Sequence, residues 1–215
     1  FYLGETANKI IKYFQKNGGI FTEIDFENYE SSFKSPLCST FIDFKVCSMS
    51  LPSSGGIVLT QSLNILENFD LTLYEHNSLE YNRLLTEAMR FSFADRSEFL
   101  GDSDFNNFDI NKITSKKYAK TLSKVIKNSE GKIVIDSPGK YLVESEETTH
   151  FSIIDSRGNA VSNTYTLNTA YGSGIVAKGT GILMNNEMDD FSVKPGFPNF
   201  FGLVGSAANK VESKK

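Results

Sequence analysis

Three short strings in the C-terminal half of the chain carry the side chains best suited to chemistry. The first surrounds Thr148, which follows two glutamates and precedes Thr149 and His150. A threonine hydroxyl is a weak nucleophile at neutral pH and needs a base beside it. If Thr148 were the first residue of a chain, its α-amino group, which ordinarily titrates at about pH 7.7–8.0, could be that base. Taken alone, a Thr-Thr pair after acidic residues is more often the entrance of a strand.

The second and third strings supply hydrogen-bonding and acidic groups. Thr166 and Asn168 are two residues apart on a predicted strand, so we expect their side chains on one face. Glu187 and Asp190 lie three residues apart in a stretch that also contains two asparagines. Carboxylates of this kind could bind an ammonium group. Without other signals, however, such an acidic cluster is usually a solvated loop or a helix cap.

The elements that must position these residues are helices first and strands later. Apolar spacing predicts helices through Ile10 to Gly18, through Leu63 and Leu66, from Tyr81 towards Gly101, and from Lys116 to Lys127. Alternation predicts a hairpin near 36–49 and a second one from Phe151 to Ile154 and Ala160 to Leu167. This order favours an α+β fold or a layered αββα sandwich.

The only two cysteines flank the first predicted hairpin. If Ile42 and Asp43 form a two-residue turn, Cys38 lies directly opposite Cys47, where a disulfide could close. Two unrelated buried thiols are the alternative. A metal site is disfavoured because two cysteines without a nearby histidine make an incomplete ligand set.

Composition excludes several classes of function. The net charge is −4, and the 22 Lys and Arg are scattered, which disfavours nucleic-acid binding. Apolar runs such as Ile57 to Leu59 are too short to span a bilayer, and no signal peptide is visible. Since the chain opens at Phe1 without an initiator methionine, we expect it to be an internal fragment.

The three strings, taken together, closely resemble γ-glutamyltranspeptidases, which are N-terminal-nucleophile hydrolases. Pro52 to Gly56, Asn64 to Leu71 and Ala94 to Asp102 match as well, so the resemblance covers essentially the whole chain. It implies a partial αββα sandwich. Residues 1–147 would be the C-terminal part of a large subunit, mostly helical with one hairpin. Residues 148–215 would begin the small subunit with a strand hairpin, a substrate loop and a lid loop, and both parts would form one structural domain.

The resemblance also implies a reaction. The precursor would cleave itself between Glu147 and Thr148, giving a heterodimer of large and small subunits. Thr148 would then form a γ-glutamyl ester with glutathione or another γ-glutamyl amide. Water, an amino acid or a dipeptide would accept the γ-glutamyl group, with no metal or other cofactor. Family members imply a periplasmic or secreted location.

Individual roles follow from the same resemblance. Thr166 would hydrogen-bond the nucleophile oxygen, and Thr149 would act indirectly through its neighbours. Asn168, Glu187 and Asp190 would bind the α-amino end of the substrate, and the family has Glu or Gln at the position of Glu187. We interpret His150 as structural, because the α-amine already supplies the base.

Residues 195–206 resemble a lid loop over the glutamyl pocket. Many bacterial members have a tyrosine where this chain has Phe201. A phenyl ring covers the pocket but cannot donate a hydrogen bond towards Asn168, so we expect a looser lid and an altered balance of hydrolysis and transfer.

Other functions remain open at this stage. A related acylase acting on another acyl amide, such as a glutaryl amide, is the enzymatic alternative, and an unprocessed, inactive homologue is the other. The family's carboxylate-binding arginine, its Ser-Ser pair and its oxyanion-hole glycine pair are not in these residues. We therefore expect this chain by itself to be nearly inactive.

Overall fold

The computed structural model describes residues 1–129 and 148–212. Its α-helices are α1 (Glu5–Lys16), α2 (Glu23–Glu27), α3 (Gly55–Leu66), α4 (Leu79–Phe99), α5 (Asn111–Thr114) and α6 (Lys116–Asn128). Its strands are β1 (Leu37–Phe41), β2 (Phe44–Ser48), β3 (Thr149–Ile154) and β4 (Ala160–Tyr165). Short 3-10 turns lie at Leu71–Leu73, Glu187–Asp190 and Ala207–Asn209. This mixture of helices and antiparallel strands confirms the α+β class, and both predicted hairpins are present.

The described residues divide into two compact units. One combines residues 1–33 with 148–190, and the other combines residues 34–129 with 191–212. Each unit therefore contains chain from both sides of the Glu147–Thr148 bond, and the division differs from the predicted subunit boundary. The expectation of one structural domain stays a prediction.

Three helices of the second unit pack around one apolar core. Its buried side chains come from α3, α4 and α6 and include Ile65, Leu84, Ala88, Ala119 and Ile126. Two of the helices begin at a serine that caps them, since Ser78 accepts a hydrogen bond from Tyr81 N (3.3 Å) and Ser115 from Tyr118 N (3.2 Å). The predicted apolar periodicity thus becomes a packed helical layer.

A polar network crosses the same three helices. Asp95 of α4 accepts hydrogen bonds from Gln61 Nε2 of α3 (2.5 Å) and from the hydroxyl of Tyr118 of α6 (3.3 Å). Burial raises the pKa of the Asp95 carboxyl, although both hydrogen bonds oppose that change. Burial, together with the nearby Asp95 charge, raises the pKa of Tyr118 to about 12. The network fixes the three helices relative to one another.

The first hairpin has the register that the cysteine spacing requires. Phe41 pairs with Phe44, which leaves Ile42 and Asp43 as the turn, and Cys38 pairs with Cys47. The two cysteines form a disulfide. Ile42 has a φ of 54°, which is uncommon for a β-branched residue and is one of the backbone conformations that tight two-residue turns need.

The second hairpin belongs to the first unit. Strands β3 and β4 are antiparallel, from Thr149 opposite Tyr165 to Ile154 opposite Ala160. Asp155 shapes the turn, because its Oδ1 accepts the N–H groups of Arg157 and Asn159, both at 2.9 Å. Among the described helices of either unit, none combines the length and hydropathy needed to cross a membrane.

Candidate active site

Thr148 and Thr166 lie at the open end of the second hairpin. Thr149 pairs with Tyr165, so Thr148 directly precedes one strand of this pair and Thr166 directly follows the other. Thr148 is exposed. Glu147, the other residue of the predicted cleavage bond, lies outside the described residues. The strand register alone therefore brings the hydroxyl-bearing residues Thr148 and Thr166 to the same end of the hairpin.

His150 is engaged by hydroxyl groups of the hairpin. Its Nδ1 hydrogen-bonds Thr164 Oγ1 at 2.7 Å, across the strand pair, and its Nε2 lies 3.1 Å from Ser162 Oγ. Both ring nitrogens thus have partners on the same face of the hairpin. The interpretation of His150 as a structural residue stays a prediction.

The chain leaves the strand before Thr166, and the prediction that Thr166 and Asn168 share a strand face is wrong. Strand β4 ends at Tyr165. Thr166 Oγ1 then accepts the backbone N–H of Asn168 at 2.9 Å, which curls the chain into a local turn. Asn168 has a φ of 77°, in the left-handed region. A threonine hydroxyl that accepts one bond can still donate its own hydrogen, as the predicted role of Thr166 requires.

Asn168 is brought next to the acidic segment by hydrogen bonds to Asn186. The Asn168 side chain is buried, with 4% of the residue's surface exposed. Its Nδ2 donates to the carbonyl oxygen of Asn186 at 3.2 Å, and Asn186 N donates to the carbonyl oxygen of Leu167 at 3.2 Å. The turn that carries Asn168 is therefore joined directly to the residue before Glu187.

Glu187 opens the 3-10 turn that also carries Asp190. Its backbone N–H donates to Asn185 Oδ1 at 3.0 Å, which fixes the start of the turn. Its Oε1 is buried and makes no hydrogen bond within the described part of the chain. Burial, a hydrogen bond with Asp190 and the charge of Asp190 raise the pKa of Glu187 to about 7. Two carboxyl groups this close form a good acceptor for a cationic N–H donor.

The described residues contain no group of three or more His, Cys, Asp and Glu side chains placed to bind a metal ion. The site residues predicted from the sequence carry hydroxyl, amide and carboxyl groups: Thr148, Thr166, Asn168, Glu187 and Asp190.

The predicted lid is an ordered loop of the second unit. Asn199 Oδ1 accepts the N–H groups of Phe201 (3.1 Å) and Leu203 (2.9 Å), and Asn199 N donates to the carbonyl oxygen of Leu203 at 2.9 Å. The rings of Phe200 and Phe201 pack edge to face with centroids 5.1 Å apart. Phe201, which is half-buried, thus lies in a loop held by its own hydrogen bonds. Its role over the glutamyl pocket stays a prediction.

Sequence reasoning missed Asn186 and Thr169. The Asn186 side chain accepts hydrogen bonds from Thr169 N and Thr169 Oγ1, both at 3.3 Å. The sequence showed that Asn186 stands next to Glu187. It did not show that the partner of Asn186 is Thr169, which lies 17 residues earlier in the chain. The residue type of Asn168 weakly indicated its left-handed conformation, because asparagine is enriched in that region of backbone angles.

Solved structures define the class of the fold. The cephalosporin acylase of Bacillus halodurans matches with a TM-score of 0.73 and 25% identity, over 98% of this chain and 36% of that chain. The gamma-glutamyltranspeptidase of Helicobacter pylori matches with a TM-score of 0.57 and 40% identity, over 59% of this chain and 36% of that chain. The fold is therefore that of the N-terminal-nucleophile hydrolases.

Sequence comparison defines the family. Residues 1–215 match the family model of gamma-glutamyltranspeptidase, and the chain belongs to that family. The glutathione hydrolase proenzyme of Escherichia coli strain K12 is 46% identical over 217 residues, which cover 100% of this chain and 37% of that protein. The chain thus spans little more than a third of the length of this relative.

Proposed function

We propose that these residues belong to an enzyme that hydrolyses and transfers γ-glutamyl groups, with glutathione and other γ-glutamyl amides as donors. The observation that carries the proposal is a connected series of groups. Thr148 and Thr166 lie at the same hairpin end, Thr166 binds Asn168 N, and Asn168 is bonded to Asn186 next to Glu187. A nucleophile and a receptor for an amino acid head group would thus share one unit.

The proposed nucleophile is the hydroxyl of Thr148 after cleavage of the Glu147–Thr148 bond. Before cleavage, the nitrogen of Thr148 is an amide and cannot accept a proton. Thr148 Oγ attacks the carbonyl carbon of Glu147, and water then opens the resulting ester. The freed α-amine becomes the base that takes the hydroxyl proton when Oγ attacks a γ-glutamyl amide. The amine of the donor leaves, and water, an amino acid or a dipeptide resolves the γ-glutamyl ester.

The proposed receptor for the donor's α-ammonium is formed by Asn168, Glu187 and Asp190. An ammonium group has three N–H donors and no acceptor, so it needs oxygen atoms around it. Glu187 supplies a buried carboxylate oxygen without a hydrogen bond in the described residues, and its raised pKa reflects burial next to another carboxyl group. A bound ammonium would favour the ionised form of Glu187.

An acylase acting on another acyl amide is the second candidate, and the match to cephalosporin acylase favours it. A glutaryl group has the same chain length as a γ-glutamyl group but lacks the α-ammonium. Without an ammonium, the buried Oε1 of Glu187 would keep no hydrogen-bond partner within the described residues, which favours γ-glutamyl donors. Comparing the kcat/KM values of γ-glutamyl and glutaryl p-nitroanilides distinguishes the two candidates. A preference for the glutaryl compound would overturn the proposal of γ-glutamyl donors.

We also propose a periplasmic or secreted location and a heterodimer of the two cleavage products. The disulfide between Cys38 and Cys47 supports the location, since such bonds persist in oxidising compartments. The family membership supports the heterodimer.

The first test is the intact mass and N-terminal sequence of the gene product as encoded. We expect two chains, one of which begins Thr-Thr-His-Phe, and γ-glutamyl p-nitroanilide hydrolysis in the same material. Thr148→Ala is expected to stay uncleaved and inactive, whereas the control Thr121→Ala, on the exposed surface of α6, is expected to behave as the wild type. An uncleaved, inactive wild type would favour a homologue that has lost the activity.

A further inference from the structure

Asn186 is joined to the turn around Asn168 through both its backbone and its side chain. Its backbone N–H and carbonyl oxygen bind Leu167 O and Asn168 Nδ2, both at 3.2 Å. Its side-chain Oδ1 accepts from Thr169 N and Thr169 Oγ1, both at 3.3 Å. Three hydrogen bonds, and a fourth whose hydroxyl hydrogen is shared with Gly172 O, thus join one residue to three consecutive residues of the turn.

We propose that Asn186 and Thr169 are positioning residues for the donor's α-ammonium, because together they fix Asn168 beside Glu187. The inference rests on the proposed function. Neither residue needs to touch the donor. They act by setting where the Asn168 amide lies relative to the carboxyl groups of the following turn.

The backbone of Asn168 needs such support. Its φ of 77° lies in a region that residues other than glycine occupy rarely, asparagine more often than most, and the surrounding contacts hold it there. Thr166 Oγ1 fixes the N–H of Asn168 on one side, at 2.9 Å. On the other side, the N–H of Thr169 is fixed by Asn186, and the single hydroxyl hydrogen of Thr169 is shared between Gly172 O at 2.8 Å and Asn186 Oδ1 at 3.3 Å. Loss of the Asn186 side chain would release the second side.

The hydrogen bonds also determine which atom of the Asn168 amide can serve an ammonium. Because the partner of this amide is the carbonyl oxygen of Asn186, an acceptor, the bonded atom must be the nitrogen Nδ2. The atom left for another partner with N–H groups is the oxygen Oδ1. An ammonium donates hydrogen bonds and accepts none, so this orientation suits it. If the Asn168 amide were reversed, its NH₂ group would face the ammonium, and both groups would be hydrogen-bond donors.

Asn186 also precedes Glu187 in the chain, so it bonds to one proposed receptor residue and is covalently joined to another. A displacement of Asn186 therefore changes the distance between Asn168 and Glu187. Thr148 and Thr166 instead directly adjoin Thr149 and Tyr165, the last pair of the hairpin, which positions them from the strand side. We accordingly expect changes at Asn186 or Thr169 to weaken donor recognition and to leave cleavage of the Glu147–Thr148 bond intact.

The test uses Asn186→Ala, Thr169→Val and Thr169→Ser in the gene product as encoded. Two readouts are compared: the rate of chain cleavage, which needs no donor, and the inhibition constant of L-glutamate against γ-glutamyl p-nitroanilide hydrolysis. For the first two variants we expect normal cleavage and glutamate binding about tenfold weaker, since each lost hydrogen bond changes an equilibrium by a few-fold to about tenfold. Thr169→Ser keeps the hydroxyl and should bind as the wild type does.

Ser173→Ala is the matched control. It lies in the same loop and removes a hydrogen bond to Met184 O (3.0 Å) but none to Asn186. It should leave both readouts unchanged. Unchanged glutamate binding in Asn186→Ala and Thr169→Val would overturn the inference, and so would a parallel loss of cleavage and binding, which indicates a general structural role. A wild type without γ-glutamyl hydrolysis would refute the proposed function instead.

Discussion

Glu187→Gln should change how donor capture depends on pH. Burial and the neighbouring Asp190 raise the pKa of Glu187 to about 7. Below that pH the carboxyl group is protonated and has no charge to offer an ammonium. The affinity of the free enzyme for a γ-glutamyl donor should therefore fall as the pH falls through 7. Glutamine has nearly the same shape, keeps an acceptor oxygen and does not titrate.

The size of the effect follows from that pKa. With a value of about 7, roughly one-eleventh of the Glu187 carboxyl groups are ionised at pH 6 and about ten-elevenths at pH 8. If donor capture requires the ionised form, Glu187 by itself contributes about a tenfold rise in kcat/KM between these values. At an ordinary Glu pKa of about 4.3, the rise over the same interval would be only a few per cent.

The assay is the initial rate of γ-glutamyl p-nitroanilide hydrolysis by matured enzyme from about pH 5.5 to pH 8.5. The quantity to compare is log kcat/KM, which reports groups of the free enzyme. The α-amine of Thr148 also titrates in this range, so the wild type should show two overlapping acid steps and Glu187→Gln only one. At saturating donor, the profile of kcat should be similar for both, because a bound ammonium keeps Glu187 ionised.

Asp189→Asn is the control, since it removes a carboxylate from the same 3-10 turn. It should keep both acid steps. Identical kcat/KM profiles for the wild type and Glu187→Gln would refute the reasoning, because Glu187 would then not control donor capture in this range. A loss of the second step in Asp189→Asn as well would attribute the effect to the charge of the whole turn.

Two further predictions concern the other unit. Phe201→Tyr adds a hydroxyl to the predicted lid and should shift the ratio of hydrolysis to transfer towards transfer, measured with and without a dipeptide acceptor; an unchanged ratio would contradict the lid role. The double variant Cys38→Ser with Cys47→Ser removes a disulfide between residues nine apart and should destabilise the folded state by about 2–3 kcal/mol, from the entropy of a loop of this size. Thermal unfolding measures this loss, and an unchanged melting temperature would show that the hairpin does not need the bond.

Much of the helical layer was predictable because its signals are local. Apolar residues at helical spacing predicted α1, α3, α4 and α6, and all four are present. Both hairpins also followed from alternation, and the conditional pairing of Cys38 with Cys47 across a turn at Ile42 and Asp43 is confirmed. In each case the residues that decide the structure lie within about one element of each other.

The end of β4 was not predictable from alternation. The alternation of apolar and polar residues runs from Ala160 to Leu167, but the strand ends at Tyr165. Beyond Tyr165, side chains rather than a neighbouring strand bind the backbone N–H groups. Thr166 Oγ1 accepts the backbone N–H of Asn168. The Asn168 side-chain Nδ2 donates to the carbonyl oxygen of Asn186, 18 residues later in the chain. The same polar residue type occurs on strands and in turns held by side-chain hydrogen bonds, so the sequence does not distinguish the two. Only the contacts in the folded structure do.

The sequence by itself determined the family, the chemical types of the site residues and most of the elements, because motif letters and hydrophobic periods are properties of the chain. Tertiary structure decided which of those residues meet. It joined the Asn168 turn to Asn186, and it excluded water from Glu187 Oε1 beside Asp190, which raises the pKa of that carboxyl group. These properties depend on the distances between side chains and on the exclusion of solvent, which the folded chain sets and the residue types alone do not.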